Sequence, residues 1–96
     1  MKPGFVYILT KKPGGVLYIG VTNDLAKRVE QHRSRAVPGF TKTYNCDRLI
    51  WFERFDDLQE ARLFEWRMKK WNRAWKVERI EERNPAWDDL VDTLNG

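Results

Sequence analysis

The sequence predicts an α+β fold, in which a small three-stranded antiparallel sheet is flanked by helices in the order β-β-α-β-α-α, with a short helix at the C-terminus. Two observations carry this prediction. Three short runs are rich in β-branched and aromatic residues, and other stretches repeat apolar residues at helical spacing. The order of the elements indicates an antiparallel sheet with helices packed on it.

The first two strands form a predicted hairpin. Residues 5–10 and 16–20 are apolar runs joined by the turn sequence PGG, and each run contains a tyrosine, Tyr7 or Tyr18. Tyrosine favours strands and its ring fills half-buried surfaces, so packing alone explains the matched pair. A chemical role for the two hydroxyls is the alternative, and the rest of the chain must decide between them.

The later elements follow from capping residues and apolar spacing. They are a helix from the caps at 22–24 to about residue 36, a loop over 37–46, a strand over 48–55, and helices over 58–72, 73–83 and 85–94. Pro85 suits the first turn of the last helix.

Length and composition predict one domain spanning residues 1–96. Cys46 is the only cysteine, which excludes an internal disulfide and argues against a structural zinc site. The apolar runs are too short for a signal peptide or a membrane span, so we expect a cytoplasmic protein without a membrane partner.

Positive charge is concentrated in the first half of the chain. Residues 1–55 hold ten Lys and Arg against four Asp and Glu, whereas residues 56–96 hold eight against ten. A basic half indicates a polyanionic partner. The candidate contacts to nucleic acid are the basic residues Lys11, Lys12, Arg33, Arg35 and Lys42.

Polar residues lie near the apolar faces of two predicted helices. Arg28 and His32 are four residues apart and border the stripe of the first helix, where His32 is either structural or a proton carrier. Glu65 falls on the sheet side of the long helix. A carboxylate there needs a cation, which is either an arginine in an internal ion pair or a metal ion.

Together, Tyr7, Tyr18, Arg28, His32 and Glu65 suit phosphodiester hydrolysis, and we expect all five to face one surface of the sheet. A carboxylate can hold a divalent metal ion, and an arginine pairs with phosphate oxygens. A phenol or an imidazole can take a proton from an attacking water. No serine or cysteine has an evident base, and no phosphate-binding GxxxxGK[ST] loop is present.

The ordered motifs resemble the GIY-YIG endonuclease domain, and in particular its small stand-alone members. They are FVY at 5–7, YIG at 18–20, LAKRVEQH at 25–32, EARLFEWRMKKW at 60–71 and WKVERIEERNPAWDDL at 75–90. The first motif departs from the family pattern, because Phe5 and Val6 stand in place of glycine and isoleucine. The resemblance covers about residues 5–94.

This resemblance implies a DNA endonuclease that uses one divalent ion, Mg²⁺ or Mn²⁺, with a possible place in DNA repair or recombination. It implies that Glu65 is the metal ligand, that Arg28 binds the phosphate, and that Tyr18 handles the attacking water with help from Tyr7. His32 takes the place of a second proton-handling or phosphate-contacting group. For the family's late asparagine, Asn84 is our choice and Asn72 is the rival.

Two other functions are compatible with the sequence. One is a nucleic-acid-binding module that uses the same basic face without cutting. The other is a scaffold whose tryptophan-rich C-terminal half, with Trp66 off the apolar stripe, docks a protein partner. For the nuclease, a protein partner is a further possible source of specificity.

Overall fold

The computed structural model describes residues 2–34 and 46–95, with three strands in one antiparallel sheet. These are β1 (Gly4–Thr10), β2 (Tyr18–Thr22) and β3 (Arg48–Phe55), arranged in the order β2-β1-β3. The central strand, β1, pairs with both neighbours, so β2 is an edge strand. The α+β class and the three-stranded antiparallel sheet are confirmed.

Three α-helices and a short 3-10 helix lie within the described ranges. They are α1 (Leu25–Arg33), α2 (Leu58–Lys69), α3 (Arg73–Arg83) and the 3-10 helix Val91–Asn95. Each α-helix begins after a side chain that accepts a hydrogen bond from a backbone N–H of the first turn. The capping residues are Asp24, Asp57 and Asn72.

The strand β2 spans Tyr18–Thr22, whereas the predicted strand covers 16–20, and α1 ends at Arg33, before residue 36. Two later elements also differ from the prediction. The long helix α2 ends at Lys69, before residue 72, because Asn72 caps α3 by accepting from the Trp75 N–H at 2.9 Å. The predicted C-terminal helix is present as the 3-10 helix Val91–Asn95, but its predicted span of 85–94 is wrong. Residues 85–86 form a turn instead, and Trp87 has a left-handed φ of 58°. The predicted loop over 37–46 lies almost wholly outside the described residues.

The sheet is covered on both faces, because alternate side chains of β1 point in opposite directions. Tyr7 and Leu9 pack on one face with Leu25 and Val29 of α1. Val6 and Ile8 pack on the other face with α2 and α3, which contribute the buried residues Ala61, Met68 and Ile80. The first and second helices therefore lie on opposite sides of the sheet.

None of the helices described is long and apolar enough to cross a lipid bilayer.

Candidate active site

The ring of Tyr7 lies across Gly20 on the neighbouring edge strand. The two residues are paired in the β1–β2 register, and a Cβ added to Gly20 would lie 2.4 Å from the Tyr7 hydroxyl oxygen. Only a glycine leaves room for this ring, since real Cβ contacts are essentially never under 3.0 Å. The glycine of the YIG motif thus brings the Tyr7 hydroxyl toward the β2 edge.

The Tyr7 hydroxyl is hydrogen-bonded to His32, which α1 presents to the same face of the sheet. The distance from Tyr7 Oη to His32 Nε2 is 3.1 Å, and both side chains are buried. Tyr18 completes the group, with its ring centre 5.3 Å from that of His32 and 6.3 Å from that of Tyr7. These three residues form what we call the tyrosine–histidine cluster.

Burial controls the protonation of Tyr7 and His32. Burial raises the pKa of Tyr7 to about 12, against a smaller opposing effect from its hydrogen bond to Arg28. Burial also lowers the pKa of His32, and the nearby positive charge of Arg28 lowers that pKa further. At neutral pH, therefore, Tyr7 keeps its proton and His32 is an uncharged imidazole, so the hydrogen bond between them joins two neutral groups.

Arg28 links the cluster to an open cavity of about 430 Å³, which we call the arginine cavity. Its walls come from the end of β2, the start of α1 and the first turns of α2. Arg28, Lys27 and Arg62 all line it, while the Arg28 Nη1 group donates to Gln31 Oε1 at 3.3 Å. Three cationic side chains against one carboxylate, that of Asp24, favour an anionic ligand.

A second, smaller cavity lies at the other end of β2. It measures about 240 Å³ and is lined by Leu17, Tyr18, Ile19, Lys69 and Lys76. We call it the lysine cavity. Sequence patterns give no signal for Lys76, because they do not reveal α3 as a neighbour of Tyr18. For Lys69, the sequence patterns predict only a solvent-exposed position next to Glu65.

Glu65 is held near both cavities by α2. Its side chain is 16% exposed, and the carboxylate forms an ion pair of 3.0 Å with Lys69, one turn further along the helix. Arg62 precedes Glu65 by three residues and Lys69 follows it by four, so all three share one side of α2. Along α2, the glutamate therefore lies between Arg62, which lines the arginine cavity, and Lys69, which lines the lysine cavity.

The expectation that all five site residues share one sheet surface is wrong. Tyr7 packs on the α1 face, whereas the helix that carries Glu65 packs on the opposite face. The reason is that α2 covers Val6 and Ile8, which alternate with Tyr7 along β1. The tyrosine–histidine cluster and the helix that carries Glu65 approach each other at the edge strand β2, where Tyr18 and Lys69 line the same cavity.

The donor set around Glu65 fits a metal ion that is held mainly by its substrate. Within residues 2–34 and 46–95, no three acidic, histidine or cysteine side chains converge as a metal cage. Mg²⁺ is commonly bound by one or two carboxylates, with waters and substrate phosphates as the other ligands. One partly exposed carboxylate beside two basic cavities matches that arrangement.

Asn84 lies away from the tyrosine–histidine cluster and stabilises the fold. Its amide Nδ2 donates to the carbonyls of Ile50 and Asp88, both at 2.9 Å, and its Oδ1 accepts from the Asp88 N–H at 3.0 Å. Ile50 belongs to β3, on the far side of β1 from the β2 edge. The rival, Asn72, is an exposed helix cap.

The structure separates the predicted nucleic-acid contacts into three groups. Arg33 forms an ion pair with Asp89 and donates to the Asp47 carbonyl at 3.1 Å, so it joins α1 to the C-terminal segment. Lys11 and Lys12 are exposed in the β1–β2 turn. Arg35 and Lys42 lie outside the described residues.

Comparison with known proteins decides the family. The GIY-YIG catalytic domain matches residues 3–78, which is most of the chain. This chain belongs to the GIY-YIG family. GIY-YIG domains form a nuclease superfamily whose members generally use a divalent metal ion, so the match implies a nuclease-type function.

Similar proteins of this GIY-YIG family carry the name UPF0213. One from Clostridium perfringens is 34% identical over 91 residues, covering 95% of this chain and 97% of the relative. One from Bacillus pumilus is 38% identical over 78 residues, covering 81% and 79%. The solution NMR structure of a UPF0213 protein from Bacillus halodurans aligns with a TM-score of 0.57 and 25% identity, covering 92% of this chain and 93% of that one.

Proposed function

We propose that this GIY-YIG protein is an endonuclease that hydrolyses phosphodiester bonds of DNA at the β2 edge. The observation that carries the proposal is the Tyr7–His32 hydrogen bond of 3.1 Å, with Tyr18 beside it and Arg28 connecting it to a basic cavity. A proton acceptor next to an anion site is what attack by water on a phosphate requires.

The tyrosine–histidine cluster accounts for the proton taken from the attacking water. Tyr18 is the more exposed phenol, so its oxygen receives this proton while Tyr18 passes its own toward Tyr7. Tyr7 in turn gives its proton to His32 Nε2, which leaves an imidazolium. The tyrosinate form of Tyr7 is too scarce at neutral pH to act alone, because its pKa is about 12.

Arg28 and Glu65 act on the phosphate. The Arg28 guanidinium pairs with the non-bridging oxygens as negative charge develops on them. Glu65 would hold the Mg²⁺ or Mn²⁺ ion, which supplies Lewis-acid stabilisation of the phosphate and its leaving oxygen. We further propose cytoplasmic repair or recombination as the setting, since both processes require strand cutting.

The test is nicking of a supercoiled plasmid in the presence of Mg²⁺ by the wild type, Arg28→Gln and Arg33→Gln. Both variants lose one positive charge from the same helix, but Arg33 pairs with Asp89 away from the cluster. We expect Arg28→Gln to lose cleavage by roughly 10²-fold or more and Arg33→Gln to retain it. Binding of plasmid by the wild type without any nicking would favour the non-catalytic binding module instead.

A further inference from the structure

The lysine cavity holds two ammonium groups with a single acidic partner. Lys69 comes from the last turn of α2 and Lys76 from the first turns of α3, and both line the cavity beside Tyr18. Glu65 pairs with Lys69. Within the described part of the chain, no carboxylate is within ion-pair distance of Lys76, whose Nζ donates only a long 3.4 Å bond to the Lys69 carbonyl.

The position of Lys76 favours a specific contact over general surface charge. The residue is half-buried beside Tyr18, so its stem holds the ammonium group at the cavity, where no described carboxylate neutralises it and an anion would pair with it. The cavity volume of about 240 Å³ equals that of roughly eight liquid waters, which is enough for a phosphate group and part of its sugar.

The spacing of the two cavities matches a nucleic-acid backbone. Arg62 lines the arginine cavity and Lys69 lines the lysine cavity, and the seven residues between their positions on α2 span about 10 Å. Successive phosphates of one strand rise by about 3.4 Å along the axis of duplex DNA. Because the strand winds around that axis, neighbouring phosphates lie further apart than this rise, and a strand that follows the β2 edge covers the distance with phosphates about one or two nucleotides apart.

We propose that the lysine cavity is a second phosphate site, in which Lys69 and Lys76 bind a phosphate of the DNA that flanks the one to be cut. This inference rests on the proposed nuclease function for the identity of the ligand. The group bound is either an internal phosphodiester of the strand or a terminal phosphate, since the two present the same anionic oxygens.

The experiment measures binding without cleavage. Fluorescence anisotropy in EDTA would compare a labelled DNA with copies in which each phosphate in turn is replaced by a neutral methylphosphonate. A parallel pair of DNAs would carry or lack a 5′-phosphate. The proteins would be the wild type, Lys76→Gln, Lys76→Arg and, as the matched control, Lys70→Gln. Lys70 is the neighbouring lysine that lies over the Trp66 ring at 3.4 Å and does not line the cavity.

We expect neutral substitution at one phosphate to weaken binding by the wild type about fivefold relative to unmodified DNA. The same substitution should leave binding by Lys76→Gln unchanged. Lys76→Arg should restore the sensitivity, and Lys70→Gln should keep it. The slope of log affinity against log salt should be flatter for Lys76→Gln by about 0.9 for duplex or 0.7 for single strands. Sensitivity to the 5′-phosphate alone would support the site and make a strand end its ligand.

The proposal is overturned if Lys76→Gln and Lys70→Gln weaken binding equally while every modified phosphate keeps its wild-type effect. Such a result would mean that the lysines act only through general charge. Because the assay contains no metal ion, it is independent of cutting. If the protein never nicks DNA but its binding depends on one phosphate through Lys76, the second phosphate site stands and the nuclease function is refuted. If the protein nicks DNA but no phosphate depends on Lys76, the nuclease function stands and the second phosphate site is refuted.

Discussion

Replacing Gly20 by alanine should damage the site through one steric contact. The added Cβ would lie 2.4 Å from Tyr7 Oη and 2.5 Å from Tyr7 Cζ, about 1 Å closer than ordinary van der Waals contact. The ring cannot yield easily, because Tyr7 is 1% exposed and its hydroxyl is hydrogen-bonded to His32. Either the ring or the β1–β2 pairing must shift.

The expected cost of this overpacking is about 1–3 kcal/mol of unfolding free energy. For a domain of this size, each kcal/mol lowers Tm by roughly 4–8 °C. The displaced ring should also lose its hydrogen bond, which NMR detects cleanly because His32 is the only histidine in the chain. Thermal unfolding and the His32 ring signals are therefore the two measurements.

Gly14→Ala is the matched control. Gly14 has a φ of 75° and an added Cβ would meet no heavy atom within 4 Å, so its replacement costs about 1–2 kcal/mol through the backbone alone. It should lower Tm to a similar extent and leave the His32 signals unchanged. Wild-type Tm together with wild-type His32 signals in Gly20→Ala would refute the placement of the Tyr7 ring over Gly20.

Three further predictions concern the protonation of His32, the two tyrosines of the cluster and the structural role of Asn84. His32 should titrate below its ordinary pKa of about 6.5, and Arg28→Gln should raise that pKa. Because unfolded His32 binds a proton more readily than folded His32, stability to urea should fall as the pH drops below about 6.5. A His32 pKa that is the same in Arg28→Gln as in the wild type would contradict the coupling to Arg28. Tyr18→Phe should reduce single-turnover cleavage by roughly 10²–10⁴ with near-normal melting. Tyr7→Phe should reduce cleavage to a similar extent, because it removes the hydroxyl that joins Tyr18 to His32. It should also cost about 1–3 kcal/mol of unfolding free energy through the lost buried hydrogen bond. Wild-type rates in both variants would mean that the tyrosines only pack. Asn84→Ala should lower the free energy of unfolding by about 2–3 kcal/mol, measured by thermal unfolding, without slowing cleavage by the folded protein. Slow cleavage with normal melting would instead indicate a catalytic role for Asn84.

The elements that depend on local sequence were predictable. The hairpin, the third strand and the starts of the first two α-helices follow from alternation, the PGG turn and the capping residues Asp24 and Asp57. The cap of α3, Asn72, falls inside the span predicted for the preceding helix. The span of the last helix was not predictable, because Asn84 and Trp87 adopt conformations set by their contacts with β3 and α3. Tertiary contacts there outweigh the helix signal of Pro85.

The site was predictable in its residue types but not in its layout. Spacing along α1 and α2 identified Arg28, His32 and Glu65 as polar residues near apolar faces. It did not reveal that the two helices cover opposite faces of the sheet. The face that each helix covers depends on the path of the chain between strand and helix, which residue spacing does not show. For the same reason, Lys76 gave no signal until α3 was placed beside Tyr18.

Cleavage by Glu65→Gln tests the central claim most directly, because Glu65 is the residue proposed to hold the metal ion. The measurement is single-turnover cleavage of DNA across Mg²⁺ concentrations, beside melting and DNA binding. Glu60→Gln, an exposed glutamate in the first turn of α2, is the control. Loss of the pair with Lys69, which is 55% exposed, should change stability little. We predict no detectable cleavage by Glu65→Gln with near-wild-type melting and binding, and wild-type cleavage by Glu60→Gln. Full activity of Glu65→Gln with unchanged dependence on Mg²⁺ would contradict the account.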